Sequence, residues 1–115
     1  MAQYSHLPIF IKTYEFVKTA YRIVGQFRKE YKYNLGAELQ KIIWEIADEI
    51  IKTNSLPDSE KGEGIKKISQ LFDRFKIRFR FAYELGLMTD RKFGLAQKEM
   101  EEIGKMIGGW KKWAG

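Results

Sequence analysis

An all-α, antiparallel up-down-up-down four-helix bundle is the fold this sequence predicts, and three observations predict it. Apolar residues recur at alternating steps of three and four in four separate stretches, which at about 100° per residue gathers each set onto one helical face. Proline, glycine or a capping residue punctuates the chain between those stretches. Each stretch has one apolar stripe, and such a stripe is buried by packing helix on helix. The 115 residues make one domain, 1–115, with helices at about 8–27, 34–53, 62–86 and 89–113.

The first helix opens on Pro8, whose missing N–H would have no partner in a first turn anyway. Phe10, Tyr14, Val17, Tyr21 and Val24 then run at helical spacing, with Lys12, Glu15, Lys18 and Arg22 on the far, solvated side. Gly25 to Tyr33 is read as a short basic and aromatic link, in which Arg28 and Lys29 with Phe27 and Tyr31 either pin a loop to the bundle or grip a backbone phosphate. Asn34 suits an N-cap. Leu39, Ile42, Ile43, Ile46, Ile50 and Ile51 carry the second helix, which is acidic through Glu38, Glu45, Asp48 and Glu49.

Asn54 to Gly64 holds Pro57, two glycines and alternating charge with few apolar residues, and it is expected to be a mobile, unanchored connection. The third helix places Ile65, Ile68, Phe72, Phe75, Phe79 and Ala82 on its core face and ends at Gly86. Thr89 or Asp90 caps the fourth after so short a turn that the two helices must be antiparallel neighbours. Phe93, Ala96, Met100, Ile103, Ile107 and Trp110 repeat the spacing there. Gly104 and Gly108 lie one turn apart inside that helix, where glycine costs up to about 1 kcal/mol relative to alanine, and either close approach of a neighbouring helix or a frayed C-terminal end accounts for them.

Several chemistries lose their footing at once. The chain has no cysteine, so thiolate nucleophiles, disulfides and Cys-based metal sites are out, and a reducing, cytoplasmic setting is the expectation. A di-iron bundle needs interior carboxylates and Glu-x-x-His pairs, whereas the single histidine, His6, precedes the first helix. No metal centre and no cofactor is expected. Glu99, Glu101 and Glu102 fall at the edge of the fourth helix, outside the desolvated cleft that acid–base catalysis requires, and no catalytic residue is expected. Met1 to His6 does not read as a secretory leader, and no run approaches the roughly 18 apolar residues that span a bilayer; no membrane partner is expected.

Charge points to a partner instead. The net charge is +6, unevenly spread. Residues 34–58 carry two Lys or Arg against five Asp or Glu, while residues 59–88 carry seven against four. On the third helix Lys67, Arg74 and Arg78 follow at steps of seven and four on the shoulder of the core face, beside Phe81 and Leu85, with Lys66 and Arg80 farther out. Guanidinium groups one turn apart hold phosphate or carboxylate in a two-pronged way that lysine does not copy. Two readings stay open: the row pairs with acidic residues of the second helix or another subunit, or it contacts nucleic acid or a nucleic-acid enzyme. Exposed Ile77 beside Phe81 adds a candidate subunit contact, together with Gly104 and Gly108.

Leu7-Pro8-Ile9, Asn34-Leu35-Gly36, Arg74-Phe75 with Arg78-Phe79, Leu87-Met88-Thr89-Asp90 and the Gly-rich run Ile103 to Trp110 stand in this order over nearly the whole chain. In order and spacing the chain resembles the accessory variability determinant (Avd) family of diversity-generating retroelements, within the superfamily of four-helix bundles encoded in ribosomal RNA intervening sequences. The resemblance implies a noncatalytic accessory protein that forms a homo-oligomer, a ring of five bundles with a basic surface. It also implies binding to reverse transcriptase, template RNA and cDNA in support of mutagenic retrohoming. It carries that role to Arg74 and Arg78 first, then to Lys67, Arg80, Arg28, Lys29 and Lys105. Similar sequences often have arginine at the position of Lys105, so a bidentate contact there is weakened. The alternatives are an RNA-binding bundle of the intervening-sequence type and a purely structural oligomer.

Overall fold

Helix ends in this chain are set by residues that supply what a terminus lacks. In the computed structural model, which describes residues 4–115, the helices are α1 (Pro8–Gly25), α2 (Ala37–Asn54), α3 (Gly62–Glu84) and α4 (Asp90–Ala114). The first three residues of the segment read for a leader lie outside the described residues. Pro8 opens α1. The Thr89 hydroxyl accepts a 3.1 Å hydrogen bond from the Lys92 N–H and so caps α4.

Between α3 and α4, Gly86 takes φ +77°, the left-handed region that side chains with a Cβ avoid. Its N–H donates to the Tyr83 carbonyl at 2.9 Å, and the Leu87 N–H donates to the Ala82 carbonyl at 3.1 Å. These are the paired bonds of a Schellman stop, with buried Leu87 as its apolar contact. Gly86→Ala keeps both bonds but forces a Cβ into that region. We expect it to lower the urea-unfolding free energy by about 1–2 kcal/mol, and an unchanged midpoint would count against the reading of this turn.

The helices pack around a square: α1 against α2, α2 against α3, α3 against α4, and α4 back against α1. The core they share is aliphatic at α2, through Leu39, Ile42, Ile43, Ile46 and Ile50, and aromatic at α3, where Phe75 and Phe79 stack 5.6 Å apart and both meet Phe16 edge-on. At α3 and α4 the expected core faces are the observed ones, Phe93 and Trp110 being partly buried.

α1 departs from the expected stripe. Ile9, Thr13, Phe16, Val17, Ala20, Ile23 and Val24 are buried, whereas Tyr14 and Tyr21 are 42% and 43% exposed. Two apolar rows run along α1, and the phenol groups of one row favour the border, where the hydroxyl reaches water or a polar partner. The link before α2 is also corrected. Helical structure begins at Lys29–Tyr31 and continues through a π-helical turn, Lys32–Gly36, straight into α2. Asn34 therefore lies inside the helical run and caps no terminus. Gly36 makes this path feasible, because a Cβ there would come within 2.7 Å of Val24 Cγ1.

The largest correction falls on the α2–α3 connection, which is anchored. Asp58–Glu60 forms a 3-10 turn, and the following Lys61 is only 7% exposed. Its ammonium donates to the carbonyls of Thr53 at 3.2 Å and Asn54 at 2.9 Å, and also to that of Leu56. Thr53 and Asn54 are the last two residues of α2, where carbonyls have no intrahelical partner and the helix dipole favours a cation, and Leu56 lies just beyond them. Gly64 completes the joint, since a Cβ on it would lie 2.9 Å from both Cβ and Cγ2 of Thr53. Among the described residues no helix is long and apolar enough to cross a membrane.

Candidate polyanion-binding face

The α2–α3 side of the bundle collects the shoulder row foreseen in the sequence. Lys67, Arg74 and Arg78 project along α3 toward α2, spread over 12 residues or roughly 16 Å of helix. Their environments differ. Arg78 Nε donates to Glu38 Oε1 of α2 at 2.6 Å, and its Nη1 reaches the Arg74 carbonyl at 3.3 Å. Lys67 Nζ lies 3.6 Å from Glu49 Oε2. Arg74 is exposed and makes no ion pair among the described residues.

The acidic second helix thus meets the basic row within one chain. The Arg78–Glu38 pair is at the surface, where such pairs contribute a few tenths to about 1 kcal/mol and are screened by salt, whereas the Glu49 side chain keeps only 12% of its area beside an exposed Lys67. The two pairs hold the basic side chains in place without consuming them: the Arg78 side chain keeps 34% of its accessible area, and Lys67 is exposed. Phe81, also exposed, lies beside Arg74 and Arg78 on this side of α3.

The remaining candidates scatter. Arg80 lies toward α4 and pairs with Glu84 at 3.2 Å. Arg28 pairs with Glu30 at 3.2 Å, and its guanidinium carbon lies 5.4 Å from the Tyr31 ring centre at one end of the bundle. Lys29 is exposed at the same end and makes no ion pair among the described residues. Lys105 is exposed on α4, which lies diagonally across from α2 and outside the Lys67–Arg74–Arg78 face.

Of the candidate subunit contacts, Ile77 is 67% exposed on the crest of α3. Gly104 faces α3 of the same chain, where a Cβ would sit 3.4 Å from Phe72 Cε2, while Gly108 has open space around it. The three glutamates of α4 divide: Glu102 pairs with Lys12, Glu99 accepts from the Thr19 hydroxyl at 3.2 Å, and Glu101 is exposed. The Glu102 hydrogen bond and charge hold the Lys12 ammonium above its ordinary pKa. On α3, the hydrogen bond to Asp90 raises the Tyr83 phenol. Among the described residues no three His, Cys, Asp or Glu side chains gather as metal ligands.

A family model described as bAvd-like matches residues 8–114. The chain belongs to the bAvd-like family. The match begins at the proline that opens α1 and ends at the last residue of α4, so it takes in the whole bundle. This agrees with the Avd resemblance carried by the short motifs. No curated protein matches the bAvd-like chain.

Sequence reasoning missed two features of this bAvd-like chain. One is Lys61, hidden because its partners are main-chain carbonyls. The other is an aromatic seam on the α1–α2 side, where Trp44 Nε1 donates to the Tyr21 hydroxyl at 2.9 Å and the Trp44 ring meets Tyr14 edge-on at 6.4 Å. The available signal was Trp44 itself, a large apolar residue one step out of register with the isoleucine stripe.

Proposed function

We propose that this chain is a noncatalytic accessory subunit of a diversity-generating retroelement, assembling as a homo-oligomer of five bundles. In this reading it binds reverse transcriptase and the template RNA or cDNA, with Arg74 and Arg78 as the principal contacts. Family membership supports the accessory role. The single observation that carries the contact surface is Arg74, an exposed guanidinium with no carboxylate partner among the described residues, flanked by Arg78 and Lys67 on one face.

Such a face binds by neutralising phosphates and releasing counterions, so affinity falls steeply with salt and base sequence matters little. An RNA-binding bundle of the intervening-sequence type would use the same surface without a transcriptase. The intrachain pairs Arg78–Glu38 and Lys67–Glu49 favour a third, purely structural reading of the row, and Arg74 is what separates that reading from the others.

Fluorescence anisotropy with labelled single-stranded RNA, titrated at several salt concentrations, tests the proposal. Arg74→Ala with Arg78→Ala is expected to weaken binding about tenfold or more and to shallow the salt slope by roughly one to two, while circular dichroism and assembly mass stay unchanged. Arg74→Ala alone should account for the larger share, because Arg78 already has Glu38. Unaltered RNA affinity would overturn the phosphate contact. Loss of assembly would reassign the pair to a subunit contact. Co-purification with the transcriptase, and its loss in the double variant, tests the other partner.

A further inference from the structure

Phe81 stands on the polyanion-binding face with its ring uncovered. It is 52% exposed and follows Arg74 by two turns and Arg78 by one, about 10 Å and 4.5 Å along the α3 axis. A single exposed apolar side chain is ordinary on a protein surface. What distinguishes this one is its surroundings.

The side chains one turn to either side of it are Ile77, Arg78, Glu84 and Leu85. A guanidinium so placed readily stacks on an aromatic ring. Arg78 is held elsewhere: its Nε donates to Glu38 Oε1 at 2.6 Å and its Nη1 to the Arg74 carbonyl at 3.3 Å. The Glu84 carboxylate is engaged by Arg80 at 3.2 Å. Leu85 packs against the core, and Ile77, exposed, lengthens the apolar strip by one turn. Among the described residues no aromatic ring stacks on Phe81 and no cation lies over it.

We infer that Phe81 is a stacking platform for an unpaired nucleobase, and that it makes this face prefer single-stranded nucleic acid to duplex. The inference rests on the phosphate contact in the proposed function and adds a selectivity to it. Charge complementarity names the occupant. Lys67 and Arg74 attract anions, so the group that suits Phe81 carries negative charge next to a flat apolar surface, and a nucleotide has both. Every base offers a π-face, so stacking adds affinity without reading sequence. In a duplex those faces are already stacked on one another, and an A-form helix meets a protein through its shape and backbone. The arginines therefore serve single strand and duplex alike, and Phe81 serves the single strand only.

Fluorescence anisotropy on the full-length chain tests this with three labelled RNA probes of equal length: an unstructured single strand, a blunt duplex, and a single strand whose sugars lack bases. Phe81→Leu keeps apolar bulk and removes the π-face. It is expected to weaken single-strand binding about five- to a hundredfold, with the duplex and abasic affinities and the salt slope unchanged. Phe81→Trp should restore the single-strand preference. Circular dichroism and sedimentation velocity verify fold and assembly mass. Unchanged single-strand affinity, or an equal loss on all three probes, overturns the stack. So does a drop in assembly mass, which would assign the ring to a subunit contact, or loss of transcriptase co-purification with RNA affinity intact, which would assign it to a protein partner. Arg74→Ala is read by its salt slope on the duplex, so failure of the phosphate contact is seen separately from failure of the stack. A wild-type chain that binds none of the probes removes both together.

Discussion

Lys61→Met is expected to lower the unfolding free energy by about 2–4 kcal/mol, a large fraction of what a domain of this size has in reserve. Methionine keeps most of the aliphatic stem and its packing, so the loss isolates the ammonium. In the native chain that group donates to three main-chain carbonyls, of Thr53, Asn54 and Leu56, at the end of α2. Hydrogen bonds to a charged donor contribute about 1.5–3 kcal/mol each before the cost of desolvating the charge is set against them.

Without the donor, the Thr53 carbonyl keeps only the Leu56 N–H at 3.1 Å, and those of Asn54 and Leu56 lose the ammonium at a terminus short of backbone donors. Asp58, 3.9 Å from the ammonium and far more exposed, adds little. Because the contact is buried, the difference between wild type and variant should persist in 0.5 M salt. Urea unfolding at low and high salt measures both points. A change below about 0.5 kcal/mol, or one that vanishes with salt, would mean that the anchor is a surface ion pair of ordinary weight.

Gly64→Ala should destabilise by about 1–3 kcal/mol, opposite in sign to what helix propensity alone indicates. Alanine in place of a helical glycine gains up to about 1 kcal/mol when nothing is in the way. Here the new methyl group would press on Thr53, within 2.9 Å of its Cβ and Cγ2 and nearer still to its hydroxyl. Thr53 is fully buried at the end of α2 and short enough that no rotation removes it, so the backbones of α2 and α3 must part. The overpacking term wins.

A double-mutant cycle makes this quantitative. Thr53→Ala removes Cγ2 and the buried hydroxyl, which has no hydrogen-bond partner among the described residues, and leaves only Cβ at 2.9 Å. In that background at least half of the Gly64→Ala penalty should vanish, a coupling of about 0.5–2 kcal/mol. Additive effects would show that the approach of α3 to α2 is looser than this geometry.

These two sites also show where local reading of the chain stops. The Asn54–Gly64 segment has the composition of a free linker, rich in charge and glycine. It is anchored because Lys61 turns inward onto main-chain oxygens, and a main-chain oxygen has no side-chain identity to read. The basic row is a parallel case. Helical spacing places Lys67, Arg74 and Arg78 together and marks the second helix as acidic. Whether a given cation is satisfied depends on the axial register of two helices. That register brings Glu38 to Arg78 and Glu49 to Lys67 and leaves Arg74 without a carboxylate. On α1 the spacing admits two apolar rows, and it chose the one with the tyrosines. Burial of Ile9, Phe16 and Ile23 instead follows from where α2 and α4 lie, which no single helix encodes.

By itself the amino-acid order determined the four helices, three of their four core faces and the Gly86–Thr89 stop and start, and its motifs pointed to the family. All of these rest on periodicity or on contacts within a few residues, and such terms act before the chain has folded. Tertiary structure alone decided which arginine stays open, how the α2–α3 joint is anchored, and that Tyr14, Trp44 and Tyr21 meet on the α1–α2 side. Those properties depend on distances between residues 5 to 40 or more positions apart, and such distances are set only when the chain packs.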